Sequence, residues 1–171
     1  NNYQAYQEII KQYEGLSAAI ISGDSQQIQD ALLAIQADFK QHGEVSDAEL
    51  KQQAISASEN MKLLGDAIKN GTVDATDSAV TEMANMTALS LGELSKLPDG
   101  AAGVASEISP AMLGQLASLS GSLSDESKEA VAGFIEGLNG VDEETRKTFE
   151  NAVKGAIEGS EFGDEVAAKA E

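Results

Sequence analysis

Apolar residues recur at alternating steps of four and three along most of this chain, which is the spacing of one face of an α-helix. The clearest stretch runs from Ser46 to Gly71. Ser46 and Glu49 have the spacing of a capping box, Val45 and Leu50 that of a hydrophobic staple, and Asn70-Gly71 is typical of a left-handed C-terminal cap. The sequence therefore predicts a helix that ends at Gly71 and has one narrow apolar seam. The seam consists of Leu50, Ala54, Ala57, Met61, Leu64 and Ile68.

Two further helices are predicted before this one. Ser22-Gly23-Asp24-Ser25 separates them by ending the first and capping the second, and Gln41-His42-Gly43 ends the second. Because the connections are short, we expect an antiparallel three-helix unit over the first seventy residues. The apolar positions are Tyr6, Ile9, Ile10, Tyr13, Leu16 and Ile20 in the first helix, and Ile28, Leu32, Ile35 and Phe39 in the second.

A fourth helix is predicted to begin after Asp74 or Asp77, either of which can be its cap, and to run to about Leu94. Its inward positions are Val80, Met83, Met86 or Thr87, Leu91 and Leu94. Pro98-Asp99-Gly100 then interrupts the pattern. We therefore divide the chain into a long-helix bundle over 1–97, a hinge or loop over 98–105, and a short-helix segment over 106–171.

The short-helix segment carries a degenerate 18-residue repeat. Each unit begins with a capping residue followed by an acid, at Ser106-Glu107, Ser124-Asp125, Asp142-Glu143 and Ser160-Glu161. Apolar positions match at the same step: Leu113 with Val131 and Phe149, Leu116 with Phe134 and Ala152, and Ala117 with Ile135 and Val153. Gly121, Gly140 and Gly159 close the units. The fold class predicted is all-α, with an antiparallel bundle or hairpins to residue 97 followed by shorter helices in series.

The formal net charge of −18 changes the range of expected partners. Affinity for nucleic acid or for an anionic membrane depends on Lys and Arg, so we expect neither. No apolar run approaches the roughly 20 residues of a membrane span. The absence of cysteine removes disulfides and thiol chemistry. Because the sequence lacks an initiator Met and opens within helical sequence, we expect an internal fragment of a longer protein.

Residues that could carry chemistry have better structural explanations. His42 has no second His or Cys to act with, and it suits a helix end. The acids at 125–126 and 142–144 fall in predicted first turns of helices, where a negative charge is favourable. Gly133, Gly137 and Gly140 follow no strand and precede no Lys-Ser/Thr, so they do not indicate a phosphate loop. We therefore expect no catalytic, cofactor-binding or metal-binding residues, and no enzyme.

Two stretches resemble the central region of tail tape-measure proteins of siphophages and prophages of Gram-positive bacteria. The first is YEGLSAAIISGDSQQIQDALLAIQADF at 13–39 with the helix that follows it. The second is AVAGFIEGLNGVDEETRKTFENAVKGAIEG, which is similar to their repeated Gly-Phe-hydrophobic-x-Gly-Leu units. The long rod expected of that family is interrupted here by glycines and by Pro98-Asp99-Gly100.

The resemblance implies a structural role in a virion tail that is assembled in the bacterial cytoplasm. A tape-measure protein sets tail length, occupies the tube lumen until DNA ejection, and contacts copies of itself and tail-tube or tail-tip proteins. A continuous helix of this chain would span on the order of 250 Å. The alternative is a non-enzymatic helical interaction module of a bacterial surface or secreted protein, whose small-residue seams accept another helix.

Overall fold

A computed structural model describes residues 2–42, 46–119 and 123–157. Within these residues it contains eight α-helices, one 3₁₀ segment and no strand, so the predicted all-α class is confirmed. The helices are α1 (Asn2–Ser22), α2 (Ser25–His42), α3 (Asp47–Lys69), α4 (Ser78–Ser95), α5 (Gly100–Val104), α6 (Pro110–Ser118), α7 (Asp125–Glu136) and α8 (Glu143–Ile157), and the 3₁₀ segment is Gly137–Gly140.

The predicted break between α1 and α2 is confirmed. Gly23 has a φ of 75°, which a residue with a Cβ rarely adopts, so glycine lets the chain leave α1 here. The Asp24 carboxylate then accepts hydrogen bonds from the backbone amides of Gln26, at 2.9 Å, and Gln27, at 3.2 Å. These bonds satisfy two of the free donors at the start of α2.

Both predicted ends of α3 are confirmed. The Ser46 hydroxyl oxygen accepts a hydrogen bond from the Glu49 amide at 3.2 Å, and the hydroxyl donates to the Glu49 carboxylate at 3.0 Å. At the other end Gly71 has a φ of 84°, and the Thr72 amide donates to the Ala67 carbonyl at 2.9 Å. This backbone pattern is a Schellman motif. Val45 of the predicted hydrophobic staple lies outside the described residues.

The start of α4 resolves the choice between two aspartates. Asp77 is the N-cap, and its carboxylate accepts the Ala79 amide at 2.9 Å. Asp74 instead organises the preceding turn by accepting the Thr76 amide at 2.9 Å. Of the two alternatives for the inward position, Thr87 is buried and Met86 is only partly buried.

Helices α1 to α4 pack in a ring in which α1 contacts α2 and α3, and α4 contacts α3 and α2. The Tyr6 hydroxyl donates to Gln52 at 2.8 Å, and the Ser17 hydroxyl donates to Asn60 at 2.6 Å, so α1 and α3 run in the same direction. The unit therefore contains α4 in addition to the three helices predicted over the first seventy residues. Helix α4 closes it beside α2, where Ser25 donates to Asp77 at 2.9 Å.

The second half of the chain covers the free side of α3 and α4. Helix α7 packs on α4, α6 packs on α3, and α8 packs on α6. Helices α3 and α4 are thus a middle layer between α1–α2 and α6–α7. The apolar seam of α3 is buried at Ala54, Ala57, Met61 and Leu64, but the helix is not limited to one narrow seam. It also buries polar and small residues on other sides, namely Ser56, Ser58, Asn60 and Gly65.

The segment predicted as a hinge or loop over 98–105 contains the short helix α5. Its Ala101 is 2% exposed and its Val104 is fully buried. Gly100 lies directly against the carbonyl oxygen of Leu94, where a Cβ would clash. The prediction missed this helix because its residues are small and give little periodic signal.

Two of the caps predicted for the repeat units are confirmed. Ser124 caps α7 by accepting the Ser127 amide at 3.1 Å, and Asp142 caps α8 by accepting the Thr145 amide at 2.7 Å. The cap predicted at Ser106 is wrong. Helix α6 begins at Pro110, and Ser109 accepts the Ala111 amide at 3.3 Å. Proline suits a first helical position because its φ is already helical and it has no N–H to satisfy.

The matched apolar positions Leu113, Val131 and Phe149 are all buried. The units do not stack in sequence order, however, because α6 pairs with α8 while α7 pairs with α4. The fourth unit at Ser160-Glu161 lies outside the described residues, as do Gly121 and Gly159. The side chains of Phe39, Ala117 and Val153 are also outside them.

Candidate functional site

The acidic side chains that could suggest a catalytic pair or a cation site lie at the starts of helices. Asp125 and Glu126 lie in the first turn of α7, and Glu143 and Glu144 in the first turn of α8. The Thr145 backbone amide holds the pKa of the Asp142 carboxyl below its ordinary value. Over the part of the chain that the structure describes, no group of three or more His, Asp or Glu side chains is placed to hold a metal ion.

The Gly-Phe unit around Phe134 is built into the core. Phe134, Ile135 and Leu138 are fully buried, and the Phe134 and Phe149 rings meet edge to face with centroids 6.3 Å apart. A Cβ at Gly137 would lie 2.9 Å from the Cβ of Ala101. Glycine therefore serves here for close packing against α5, and the unit forms a helix end rather than a phosphate loop. The His42 side chain lies outside the described residues.

A concave surface that combines acidic, amide and apolar side chains lies beside α4, and we call it the α4 groove. Its first part holds about 400 Å³ between α2 and α4, with Gln53 of α3 also lining it. Glu82 and Glu93 are its acids, and Met86 and Leu89 its apolar side chains. A second part of about 280 Å³ lies between α4 and α7, shares Leu89 and Glu93 with the first, and adds two acids, Glu126 and Glu129.

A buried hydroxyl lies next to the α4 groove. Tyr13 of α1 is 2% exposed, and its hydroxyl oxygen has no hydrogen-bond partner of acceptable geometry. Burial raises the pKa of Tyr13, and the nearby side chains of Gln53 and Ser90 partly offset that rise. Both of these neighbours line the groove. The tyrosine hydroxyl therefore neighbours two residues of the groove lining.

The groove was not predicted from the sequence. It forms where α2 and α4 meet, and these helices are separated along the chain by α3. The available signal was the position of Leu89, a large apolar residue outside the predicted inward set of α4 and 37% exposed in the fold. A single residue of this kind is common on protein surfaces and does not by itself indicate a site.

Comparison with protein-family models, with curated proteins and with solved structures gives no match. Among the helices described, none is long and apolar enough to cross a membrane.

Proposed function

We propose that this chain is a non-catalytic structural part of a tail tape-measure protein. The observation that carries the proposal is the position of the residues behind the resemblance. Leu16 and Ile20 from the first resembling stretch, and Phe134 and Leu138 from the second, are fully buried. Residues that give the sequence its resemblance thus build the helical core, as expected of a segment whose role is structural.

The net charge is compatible with a protein that shares a tube lumen with DNA. At −18 the chain repels the phosphate backbone, which favours release over retention during ejection. Lys96 and Lys147 are engaged with Glu93, at 2.9 Å, and Glu143, at 3.1 Å, on the same helices. These neighbouring acids reduce the attraction that the two lysines could exert on DNA.

The fold bears on how such a protein would measure length. Among the described residues the longest helix is α3, which has 23 residues and spans about 35 Å. The chain turns back at Gly23 and Gly71, so the folded bundle contributes far less length than one continuous helix would. A ruler built from this segment is therefore either a folded unit of fixed thickness or a bundle that opens during assembly.

Tail length in the parent phage tests the proposal. Deletion of residues 124–141, one 18-residue unit, is expected to shorten the tail by about 27 Å if the segment lies as a helix along the tube. A shortening that is smaller but reproducible indicates a folded unit. Replacement of the same residues by an unrelated 18-residue helix is the control and should restore the length. A tail of unchanged length after the deletion contradicts the proposal.

The second candidate is a non-enzymatic helical interaction module of a surface or secreted protein. The α4 groove favours it, because the groove exposes apolar side chains between two helices. A signal peptide or a wall anchor encoded in the parent gene would support this candidate, whereas neighbouring tail genes would support the tape measure. An enzyme would come into consideration only with a reproducible shift in melting temperature on addition of a small-molecule substrate.

A further inference from the structure

The α4 groove is bordered by exposed apolar side chains on both sides. Leu89 of α4 lines it and is 37% exposed. Leu33 of α2 is 60% exposed and lies on the same helical stripe as Gln29, which donates to Ser78 of α4 at 3.0 Å, and Gln36, which lines the groove. These two leucines, together with Met86 in the groove lining, provide an apolar track of the kind that accepts another helix.

Acidic side chains flank this apolar track. Glu82 and Glu93 belong to α4, and Glu126 and Glu129 belong to α7. Lys96 is the cation among the lining residues of the two parts, and it is paired with Glu93. The rim therefore has an excess of negative charge, and its electrostatic complement is a lysine- or arginine-rich surface.

The unpartnered Tyr13 hydroxyl gives a second, independent indication of a ligand. A buried polar atom without a partner is costly, and native proteins seldom retain one without a compensating use. The groups next to it, Gln53 and Ser90, line the groove. A donor that enters between them meets the tyrosine oxygen and the Gln53 carbonyl, which are both acceptors. An ammonium or guanidinium group is such a donor.

We propose that the α4 groove binds an amphipathic helix of another protein that carries Lys or Arg beside its apolar face. Its apolar side chains pack on Leu33, Met86 and Leu89, and its cations pair with the rim and donate toward Tyr13. A second copy of this chain is a poor occupant because each copy carries a net charge of −18. From Thr81 to Ser95 the groove extends on the order of 20 Å, which is the length of about four helical turns.

This inference goes beyond the proposed function and does not depend on it. It is tested on the purified 171-residue chain, and tail length in the phage is tested separately. The probe is a fluorescein-labelled peptide of about 18 residues, long enough to fill the groove, with leucines at helical spacing and lysines on both flanks. A second peptide has the same composition in scrambled order. Fluorescence anisotropy at physiological ionic strength measures binding of each peptide.

We expect the ordered peptide to bind at least about tenfold more tightly than the scrambled one. The double variant Leu33→Ser/Leu89→Ser should weaken binding of the ordered peptide about tenfold, whereas Ile21→Ser should leave it unchanged. Ile21 is a matched control because it is 68% exposed on a different surface, next to Asn70 and Thr72. Circular dichroism melts confirm that each variant is folded.

A second pair of variants tests the contribution of the acidic rim to binding. Glu82→Gln/Glu93→Gln should weaken binding several-fold, whereas Glu143→Gln/Glu144→Gln, which removes the same charge from the surface of α8, should not. Tyr13→Phe should weaken binding about threefold if the hydroxyl receives the cation. Equal binding of the ordered and scrambled peptides overturns the proposal, as does equal weakening by the groove and control variants, because either result means unspecific attraction to an acidic protein.

Discussion

The outer layer of α1 and α2 and the middle layer of α3 and α4 are built in different ways. Helix α1 buries one face, with Ile9, Tyr13, Leu16 and Ile20 inside and residues such as Glu14 and Gly15 exposed. Helix α3 is covered on several sides, and many of its buried residues are Ala, Ser, Gly or Asn. In this protein a more central helix has smaller buried side chains, because small residues let neighbouring helices approach from several directions.

The middle layer can bury polar residues because most of them bond to their own helix. The Ser58 hydroxyl donates to the Ile55 carbonyl at 2.7 Å, and the Thr87 hydroxyl donates to the Met83 carbonyl at 2.8 Å. A hydroxyl satisfied in this way needs no partner on another helix. Asn60 is the exception that links layers, since its amide also donates to the Tyr13 carbonyl at 3.2 Å.

The largest expected effect comes from removing a large side chain of the middle layer. Leu64 is fully buried in α3, and Leu64→Ala should lower the free energy of unfolding by about 2–5 kcal/mol. Leu33→Ala in the outer layer, where the side chain is 60% exposed, should change it by less than about 0.5 kcal/mol. Urea denaturation measures both. Similar losses for the two variants would show that α3 is not the inner helix.

A pair of glycine substitutions tests the close approach of helices. A Cβ at Gly92 of α4 would lie 2.6 Å from the Cβ of Ala130 on α7, so Gly92→Ala should destabilise by about 1–3 kcal/mol. A Cβ at Gly15 meets no atom within 4 Å, so Gly15→Ala should stabilise by about 0.5–1 kcal/mol through helix propensity. Thermal melts measure whether each substitution raises or lowers the melting temperature. Two stabilising substitutions would indicate that α7 does not pack closely on α4.

The substitution Tyr13→Phe tests the contact between the outer layer of α1 and α2 and the middle layer of α3 and α4. The change removes an unpartnered buried hydroxyl and keeps the ring, so we expect a gain of about 1 kcal/mol in the free energy of unfolding. The same variant is expected to bind the lysine peptide less well. A loss of stability instead would mean that the hydroxyl has a partner in the free protein, such as Gln53 or an internal water.

The smallest effect concerns the exposed cap of α8. Because the folded-state pKa of Asp142 is lowered, its contribution to stability is present above the ordinary aspartate pKa of 3.8 and is lost as the pH falls below it. Asp142→Asn keeps a capping oxygen without the titrating charge. Its melting temperature should therefore fall less than that of the wild type between pH 5 and acid pH. If the melting temperatures of the wild type and of Asp142→Asn change with pH in the same way, Asp142 does not contribute to the loss of stability in acid.

Element ends were largely predictable, whereas helix neighbours were not. Gly23, Ser46, Gly71 and Asp77 act through local backbone geometry, which a short stretch of sequence contains. Pairing depends on surfaces that are distant along the chain. Ser56 and Asn60 would be expected on a solvent-facing side of α3, and their burial follows from the packing of α1, which no periodicity in α3 can indicate.

The misplaced cap at Ser106 has a similar explanation. The 18-residue spacing identified Ser124 and Asp142 correctly, but α5 occupies the residues just before Ser106 and delays the next helix to Pro110. The α4 groove depends on the contact between α2 and α4, which are distant along the chain. The spacing of residues within either helix therefore could not predict it. No catalytic residue was predicted, and the acids that raised the question lie at helix starts.

The layer order also determines how the fold would respond to a pulling force. Residues 2–42 form one outer layer, and α8 at 143–157 packs on the opposite side, while the middle of the chain forms the inner layer. A force applied along the chain from both directions would therefore detach α8 and α1–α2 first and extend α3 and α4 last. In a single-molecule force experiment the protein should lengthen in steps, with its most resistant part between residues 46 and 95.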